Sequence, residues 1–369
     1  MADHKKTGSK SPQYLPTMTQ DYSQVSDTAR TVNSIILPKI TSYISGITPR
    51  IAGMDPGTPF VIADYGAADG VNSSELFENI ITQVRSLNPS LRVKLVYIDI
   101  ADEGLFDKFW PVSKLAQLAN VEAAYIQRSF YGPFPELNGK LNIGFSSTSL
   151  HWLNTKTVDP GFFQHPIDIQ PNQLPPEERR KFIEKWEHDW RIFFHSCSVQ
   201  LVEGGALFLA NLTDLGGDQW PASAGYNYIR DICNELHKEG RISKEELNAI
   251  FVPDYFATPD EMKSFIEEDD RKMGYSLEYF DAMTVPCAYF TKWQDKLDDP
   301  QERSQLADTL AHVVRAWSKS SVGIGLSPAN KDTIEEIYKR LRDKFYETPK
   351  GLPYQYCLLE LVKSGNCIK

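Results

Sequence analysis

Two aspartates stand at the ends of short apolar runs. Asp64 closes the run from Pro59, and Asp99 closes the run from Val93. An apolar run of this length reads as a buried parallel strand, here with a carboxylate at its carboxyl end. The first run leads into Gly66-Ala67-Ala68-Asp69-Gly70, a turn in which glycine lets a ligand approach the backbone closely. An acid at the end of the second strand can accept hydrogen bonds from both hydroxyls of a ribose. Singly, these features are a turn and two strand ends. Together, in one strand–helix–strand unit, they favour a nucleoside cofactor. A dinucleotide site carries G-x-G-x-x-G with its amides facing a pyrophosphate. Here the spacing is Asp64-x-Gly66-x-x-x-Gly70. A strand-end acid and a looser loop suit a cofactor with no phosphate and a positive charge. S-adenosylmethionine (SAM), with its amino group and sulfonium, fits that description.

Ligands of open α/β sheets bind at the carboxyl ends of the strands. That points to Asp64–Asn72, to Asp99-Ile100, and to Arg128-Ser129-Phe130 after a strand at 121–127. A further strand, Leu141–Phe145, runs into Ser146-Ser147-Thr148-Ser149 and then Leu150-His151-Trp152-Leu153. An isolated His-Trp pair is more often structural. Behind a strand-end Ser/Thr cluster, function is the stronger reading. The Trp152 indole N–H can donate to an acceptor molecule. His151 can donate as well, or act as a weak base toward an amine or phenol. A carboxylate acceptor is already ionised at neutral pH and needs no base.

The elements that hold these residues follow from periodicity. A helical pattern covers Tyr22–Ile47, with Ile35, Ile36, Ile40, Ile44 and Ile47 on one face. Asn72 or Ser73 caps a helix whose apolar face is Leu76, Ile80, Ile81, Val84 and Leu87. A charged helix at 176–197 precedes Gly204-Gly205 and a strand at 206–212. Alternating strands and helices predict a doubly wound sheet with right-handed crossovers. Beyond 212 the rhythm breaks into helices at 226–238, 243–250 and 259–268, a strand at 275–285, helices at 301–317 and 332–346, and a strand at 354–362. The domain reading is a disordered 1–20, a lid helix over the cofactor at 21–50, and a cofactor-binding core at 51–212. A helical cap at 213–274, a core strand at 275–300, cap and core helix at 301–350, and a C-terminal edge strand at 351–369 complete it.

Composition narrows the partners. A net charge of −10 with no Lys/Arg run argues against nucleic acid and against an anionic membrane. The apolar stretches are strand-sized, and residues 1–16 show no apolar core of a secretory signal. The five cysteines, at 197, 233, 287, 357 and 367, show no metal-binding spacing and suit reduced thiols in the cytosol. The chain is thus expected to be cytoplasmic, with no metal site. Trp186, Trp190, Trp293 and Trp317 read as core or interface. His188, His195, His237 and His312 have no partner pattern. The run Glu267-Glu268-Asp269-Asp270 reads as a solvated face.

The segment from Ile62 through Asp64, Gly66 and Gly70 to Ser73 resembles the cofactor loop of the SABATH methyltransferases. These are plant carboxyl methyltransferases together with the caffeine-pathway N-methyltransferases. Ser129-Phe130-Tyr131-Gly132 resembles that family's S-F-Y-G/R segment. Ser146–Leu153 resembles its S-S-Y-S-L-H-W-L octamer, the most specific signal in the chain. Gly204-Gly205, the 255–259 segment and a late helix at 334–340 extend the likeness over nearly the whole sequence.

The resemblance implies a Rossmann-like, seven-stranded α/β core with a helical cap, SAM as cofactor, a small-molecule acceptor and a homodimer. It carries cofactor roles to Tyr22 and Ser26, to Asp64, Gly66 and Asn72 near the methionine moiety, to Asp99 and Ile100 at the ribose, and to Ser129 and Phe130 beside the adenine. It assigns Thr148, His151 and Trp152 to the acceptor. Trp220, Tyr226 and Tyr255 are candidates to line its pocket, with core packing an equal alternative for each. The match has gaps. The family's substrate-gripping glutamine is Ala29, with Asn33 and Arg30 nearby. The tyrosine of S-S-Y-S is Thr148, and magnesium ligands proposed for some relatives have no counterpart at 248–252. The expected function is methyl transfer to a small organic acid. N-methylation of a small amine or heteroaromatic metabolite is the alternative within the fold. A nicotinamide-dependent oxidoreductase and a non-catalytic ligand-binding relative are the rivals outside it.

Overall fold

Apolar runs at strand spacing and amphipathic runs at helical spacing alternate through the first half of the chain, and each becomes one layer of a sandwich. The computed structural model describes residue 18 and residues 27–165, 168–217 and 219–364, without the side chains of 160 and 269–273. In chain order the elements are α1 (Asp27–Gly46), α2 (Thr48–Ala52), β1 (Phe60–Tyr65), α3 (Ser74–Leu87), β2 (Val93–Asp99), α4 (Glu103–Phe109), β3 (Val121–Gln127) and β4 (Leu141–Ser147). Then follow α5 (Pro176–Gln200), β5 (Leu201–Leu212), α6 (Ser223–Lys238), α7 (Lys244–Ala249), α8 (Pro259–Met273), β6 (Tyr275–Val285), α9 (Ala288–Trp293), α10 (Pro300–Gly325), α11 (Thr333–Glu347) and β7 (Tyr354–Lys363).

The described strands form one seven-stranded sheet in the order β3-β2-β1-β4-β5-β7-β6. The five strands β1 to β5 run parallel, and β7 and β6 are antiparallel additions. The chain winds outward from β1 to β3, then crosses to β4 on the other side of β1. That reversal opens a crevice at the carboxyl ends of β1 and β4, where open α/β sheets bind ligands.

Each face of the sheet buries its own apolar layer. Ile36, Ile40 and Ile44 of α1 pack with Leu76, Phe77, Ile80 and Val84 of α3 on one face. Trp186, Trp190 and Phe193 of α5 pack with Met262, Phe265 and Ile266 of α8 on the other. Helices α6, α7, α10 and α11 pack on one another as a helical cap over the first face. No helix among the described residues is long and apolar enough to cross a membrane.

Three placements differ from the sequence reading. The C-terminal strand is not the sheet edge: β7 lies between β5 and β6. Its run Gln355–Leu359 is buried throughout, so it needs neighbours on both sides, whereas β6 is half-exposed along its length. Helix α8 does not belong to the cap. Its apolar face packs on α5 and β6 and completes the second layer. Helix α1, expected as a lid, spends most of its length against α3 and the sheet.

Candidate active site

The ends of β1 and β2 converge on the Gly66–Gly70 loop. Gly66 N and Ala67 N both donate to the carbonyl of Ile98, at 2.8 and 3.2 Å, which pins the loop to β2. Gly66 and Gly70 sit at φ +86°, where an L side chain is strained. A Cβ on Gly70 would lie 3.0 Å from the Tyr97 ring. The Asp99 carboxylate accepts Ala68 N at 2.8 Å through Oδ2 and Ala101 N at 2.9 Å through Oδ1. The Tyr125 hydroxyl on β3 lies 3.1 Å from the carbonyl of Ala68 and 3.2 Å from that of Ala101, so it ties the two loops together. Burial raises the Asp99 carboxyl above the usual carboxylate range, against the lowering effect of these backbone amides.

Asp64 is more strongly displaced. Burial pushes its carboxyl up to about 7, a hydrogen bond from Ser73 pulls the other way, and the nearby Asp99 adds to the rise. Two acids with no cation between them among the described residues make a place that suits positive charge. Asn72 lies on the same loop, and its carbonyl accepts the Nδ2 of Asn33 from α1 at 3.0 Å. Phe130 also arrives here: its Cε1 would lie 3.5 Å from a Cβ on Gly66. Ser129 caps the turn, accepting Tyr131 N at 3.2 Å. Ile100 follows Asp99 on the β2 side of the same crevice. Tyr22 and Ser26 lie outside the described residues.

The turn after β4 closes on this loop. A Cβ on Gly66 would fall 2.2 Å from Ser149 Oγ, so only glycine permits the approach. Thr148 adopts φ +58°, a left-handed conformation that costs a β-branched residue of order 1–3 kcal/mol. It is held there by Thr148 N to Ala210 O at 2.8 Å and by a 3.0 Å contact between its hydroxyl and that of Tyr356. The backbone beyond is engaged almost atom by atom. Leu150 O accepts Trp190 Nε1 at 3.1 Å, and Trp152 O accepts the Tyr131 hydroxyl at 2.7 Å. His151 O accepts Tyr255 N at 2.8 Å, and Leu153 N donates to Pro253 O at 2.9 Å. Asn154 N donates to Asp189 Oδ2 at 2.8 Å, while Lys185 pairs with the same carboxylate. His151 and Trp152 lie on this fixed frame. Both are buried, and among the described residues His151 Nδ1 and Trp152 Nε1 have no hydrogen-bond partner. An unmet buried donor costs about 1–3 kcal/mol, and the Trp186 and Trp317 indoles are in the same state. Burial drives the His151 imidazole down to about 3, which leaves it neutral at physiological pH.

From His151 a line of rings leads into the cap. Phe256 lies 5.7 Å from His151, Trp220 lies 6.1 Å from Phe256, Tyr226 lies 5.0 Å from Trp220, and Trp317 lies 4.5 Å from Tyr226. Trp220 and Tyr226 lie on this line of rings, buried in the apolar layer on that side of the sheet. Tyr255 lies in the other layer. Its ring packs on Trp186 in the other layer, and its hydroxyl donates to Glu261 at 2.9 Å. In an extended segment successive side chains point to opposite faces, and it is Phe256 that faces the ring wall. Trp317, read as core or interface, is buried in that layer at the cap end of the line. Two residues were given no role from the sequence: Tyr131, named there only within its motif, whose hydroxyl steadies the turn, and Asp254, buried and hydrogen-bonded by Tyr226. Tyr131 follows the Ser129-Phe130 pair, a position that could have drawn attention to it. Asp254 gave no signal, because an aspartate after proline reads as an ordinary turn residue.

Among the described residues no group of three His, Cys, Asp or Glu side chains could hold a metal ion. Residues 17–359 match the family model described as SAM dependent carboxyl methyltransferase. Jasmonate O-methyltransferase of Arabidopsis thaliana is 23% identical over 350 residues, covering 82% of this chain and 86% of its own length. A 3,7-dimethylxanthine N-methyltransferase of Camellia sinensis var. assamica is 22% identical over 342 residues, covering 88% and 86%. In fold, the chain superposes on a solved structure of loganic acid methyltransferase with SAH. The TM-score is 0.70 at 17% identity, over 95% of this chain and 98% of that one.

Proposed function

The chain belongs to the SAM-dependent carboxyl methyltransferase family, and on that premise we propose that it methylates the carboxylate oxygen of a small organic acid. The enzyme class and the cofactor follow from the family; the acceptor and the residue roles are our reading. The described site fits SAM. A buried, uncompensated Asp64 suits the cofactor's ammonium, and Asp99, with lone pairs beyond those used by Ala68 and Ala101, suits the ribose hydroxyls. Gly66, Asn72, Ile100, Ser129 and Phe130 belong to the same cradle, and Tyr22 and Ser26 join it from sequence alone.

When bound, SAM supplies an electrophilic methyl on a sulfonium. The chain's own residues then have two tasks, to hold the acceptor in line and to keep water out. The observation that carries the carboxylate reading is the buried, unpartnered indole N–H of Trp152 on a turn locked against the Gly66 loop. It can donate to one carboxylate oxygen while the other faces the cofactor. His151, held neutral by burial, is a poor proton acceptor, which suits an acceptor that arrives ionised. Orientation of this kind supplies up to roughly 7–11 kcal/mol of rate enhancement. Thr148, Trp220, Tyr226 and Phe256 shape the apolar part of the acceptor pocket. A homodimer, by resemblance, and a cytoplasmic location, from the unpatterned cysteines, complete the reading; a monomer in sedimentation velocity would remove the first.

The test is turnover of SAM with a panel of small acids, amines and phenols, read by mass spectrometry. A methyl ester of an acid is the expected product, and methylation confined to amines would replace this reading with the N-directed one. Trp152→Ala should cut turnover of the acid at least tenfold while S-adenosylhomocysteine still binds. Equal loss of both would place Trp152 in the structural core.

A further inference from the structure

Asp254 is fully buried, yet among the described residues no cationic side chain is hydrogen-bonded to it. Its carboxylate instead receives the Tyr226 hydroxyl on one oxygen and Gln170 Nε2, at 3.4 Å, on the other. Its main chain forms an isolated antiparallel bridge with Trp152. Flanking main-chain bonds, Tyr255 N to His151 O at 2.8 Å and Leu153 N to Pro253 O at 2.9 Å, extend that pairing on both sides. Tyr226 belongs to α6 of the cap, and its ring lies between Trp220 and Trp317. One residue therefore touches both walls of the acceptor pocket, the strand-end turn through its backbone and the cap through its side chain. A hydrophobic residue of similar size would pack there without the desolvation penalty that a buried carboxyl carries. What a hydrophobic residue lacks is a directional bond to Tyr226.

We infer that Asp254 is a positioning residue that ties Tyr226 and the cap to the turn bearing Trp152, and so fixes the width of the acceptor pocket. The inference rests on the reading of Trp152 as an acceptor contact. Asp254 itself sits behind Tyr226 and does not contact the acceptor. It sets where two other side chains stand, so its loss acts on acceptor binding and leaves the cofactor cradle at the β1 and β2 ends untouched.

Tyr226→Phe breaks the bond while keeping the ring and opening no cavity. Asp254→Ala breaks it from the other side, and Asp254→Asn keeps an oxygen to receive the hydroxyl. With the panel acid of highest kcat/KM as substrate, Tyr226→Phe and Asp254→Ala should each raise the acceptor KM about 5- to 20-fold. The Kd for S-adenosylhomocysteine should stay within about twofold in both. The double variant should be no worse than Asp254→Ala alone, and Asp254→Asn should recover part of the loss. A wild-type KM in Tyr226→Phe, a multiplicative double variant, or an equal loss of S-adenosylhomocysteine affinity would each overturn the inference. Amide hydrogen exchange on the ligand-free protein separates this from failure of the carboxylate reading. Tyr226→Phe should speed exchange both at 149–154 and at 223–230, whatever the acceptor proves to be. Faster exchange confined to the cap, or none, would overturn the inference. Absence of any ester from the wild-type enzyme would instead sink the carboxylate reading alone.

Discussion

Asp64 is an acid whose ordinary charge at neutral pH is withheld by its surroundings. Burial raises it to about 7 against the help of Ser73, with Asp99 opposing its ionisation. A cofactor ammonium would reverse that balance, because an adjacent cation favours the carboxylate. Below pH 7 binding must then expel a proton, and affinity should fall by up to about tenfold per pH unit. The expected result is a Kd for S-adenosylhomocysteine that tightens from pH 5.5 to 7.5 and levels off above. Titrations in two buffers of different ionisation enthalpy should show proton release at pH 6 and little at pH 8.5. Asp64→Asn should bind more weakly and without the slope; a flat wild-type profile would remove Asp64 from the ammonium. Asp64 and Asp99 were legible in the sequence because an acid closing an apolar run is an unusual thing to bury. Asp254 was not, since its partners Tyr226, Gln170 and Trp152 are brought to it only by the folded chain. The placement of Tyr255 and Phe256 was equally hidden: alternation sends the two rings to opposite faces, and only the folded chain sets Phe256 beside His151 and Tyr255 against Trp186.

The crevice is made by two connections, the loop after β1 and the turn after β4, and they meet at one glycine. A Cβ on Gly66 would stand 2.2 Å from Ser149 Oγ and 2.3 Å from Ser149 Cβ, at φ +86°. Gly66→Ala therefore combines backbone strain, worth about 1–3 kcal/mol, with a collision that pushes the two connections apart. Thermal unfolding should occur several degrees lower, and acid turnover should fall more than S-adenosylhomocysteine binding. Adding Ser149→Gly should restore part of both, because the second Cβ is then gone. No recovery would mean that the strain at Gly66, and not the contact, sets the loss. Most elements were legible from spacing alone, β2, β3 and β6 to the residue. The first half of β5 was not. Gly204 and Gly205 read as a break, but Gly204 takes φ +65° where the β4–β5 register shifts, and the strand continues through the irregularity. The place of β7 was hidden for another reason: strand order is a tertiary fact, and only the buried run Gln355–Leu359 hinted at an inner position.

Across the whole molecule, Asp64 and Asp254 are the acids raised to about 7, and each contributes to how stability follows pH around neutrality. Burial lifts Asp254 to about 7 as well, although the bonds from Tyr226 and Gln170 lower it. A carboxyl whose native pKa lies above its unfolded value binds more protons when folded. Its stabilising contribution is complete below about pH 4 and is lost as the pH rises through about 7. Asp64 and Asp254 should both erode stability over that window in the ligand-free protein. On the proposed reading cofactor should separate them, since its ammonium would compensate Asp64 at the crevice and leave Asp254 beside Tyr226 unchanged. S-adenosylhomocysteine at about 100 times its Kd adds about 2.7 kcal/mol, and at a fixed concentration that increment should grow from pH 6 to pH 8 as the Kd tightens. Calorimetric unfolding of wild type, Asp64→Asn and Asp254→Asn, with and without ligand, measures each part. Asp64→Asn should remove the growth of the increment, and Asp254→Asn should flatten the decline that persists in the liganded wild type. An increment that does not change with pH in wild type would dissociate Asp64 from the ligand. A liganded decline unaffected by Asp254→Asn would show that this carboxyl is already ionised in the folded chain.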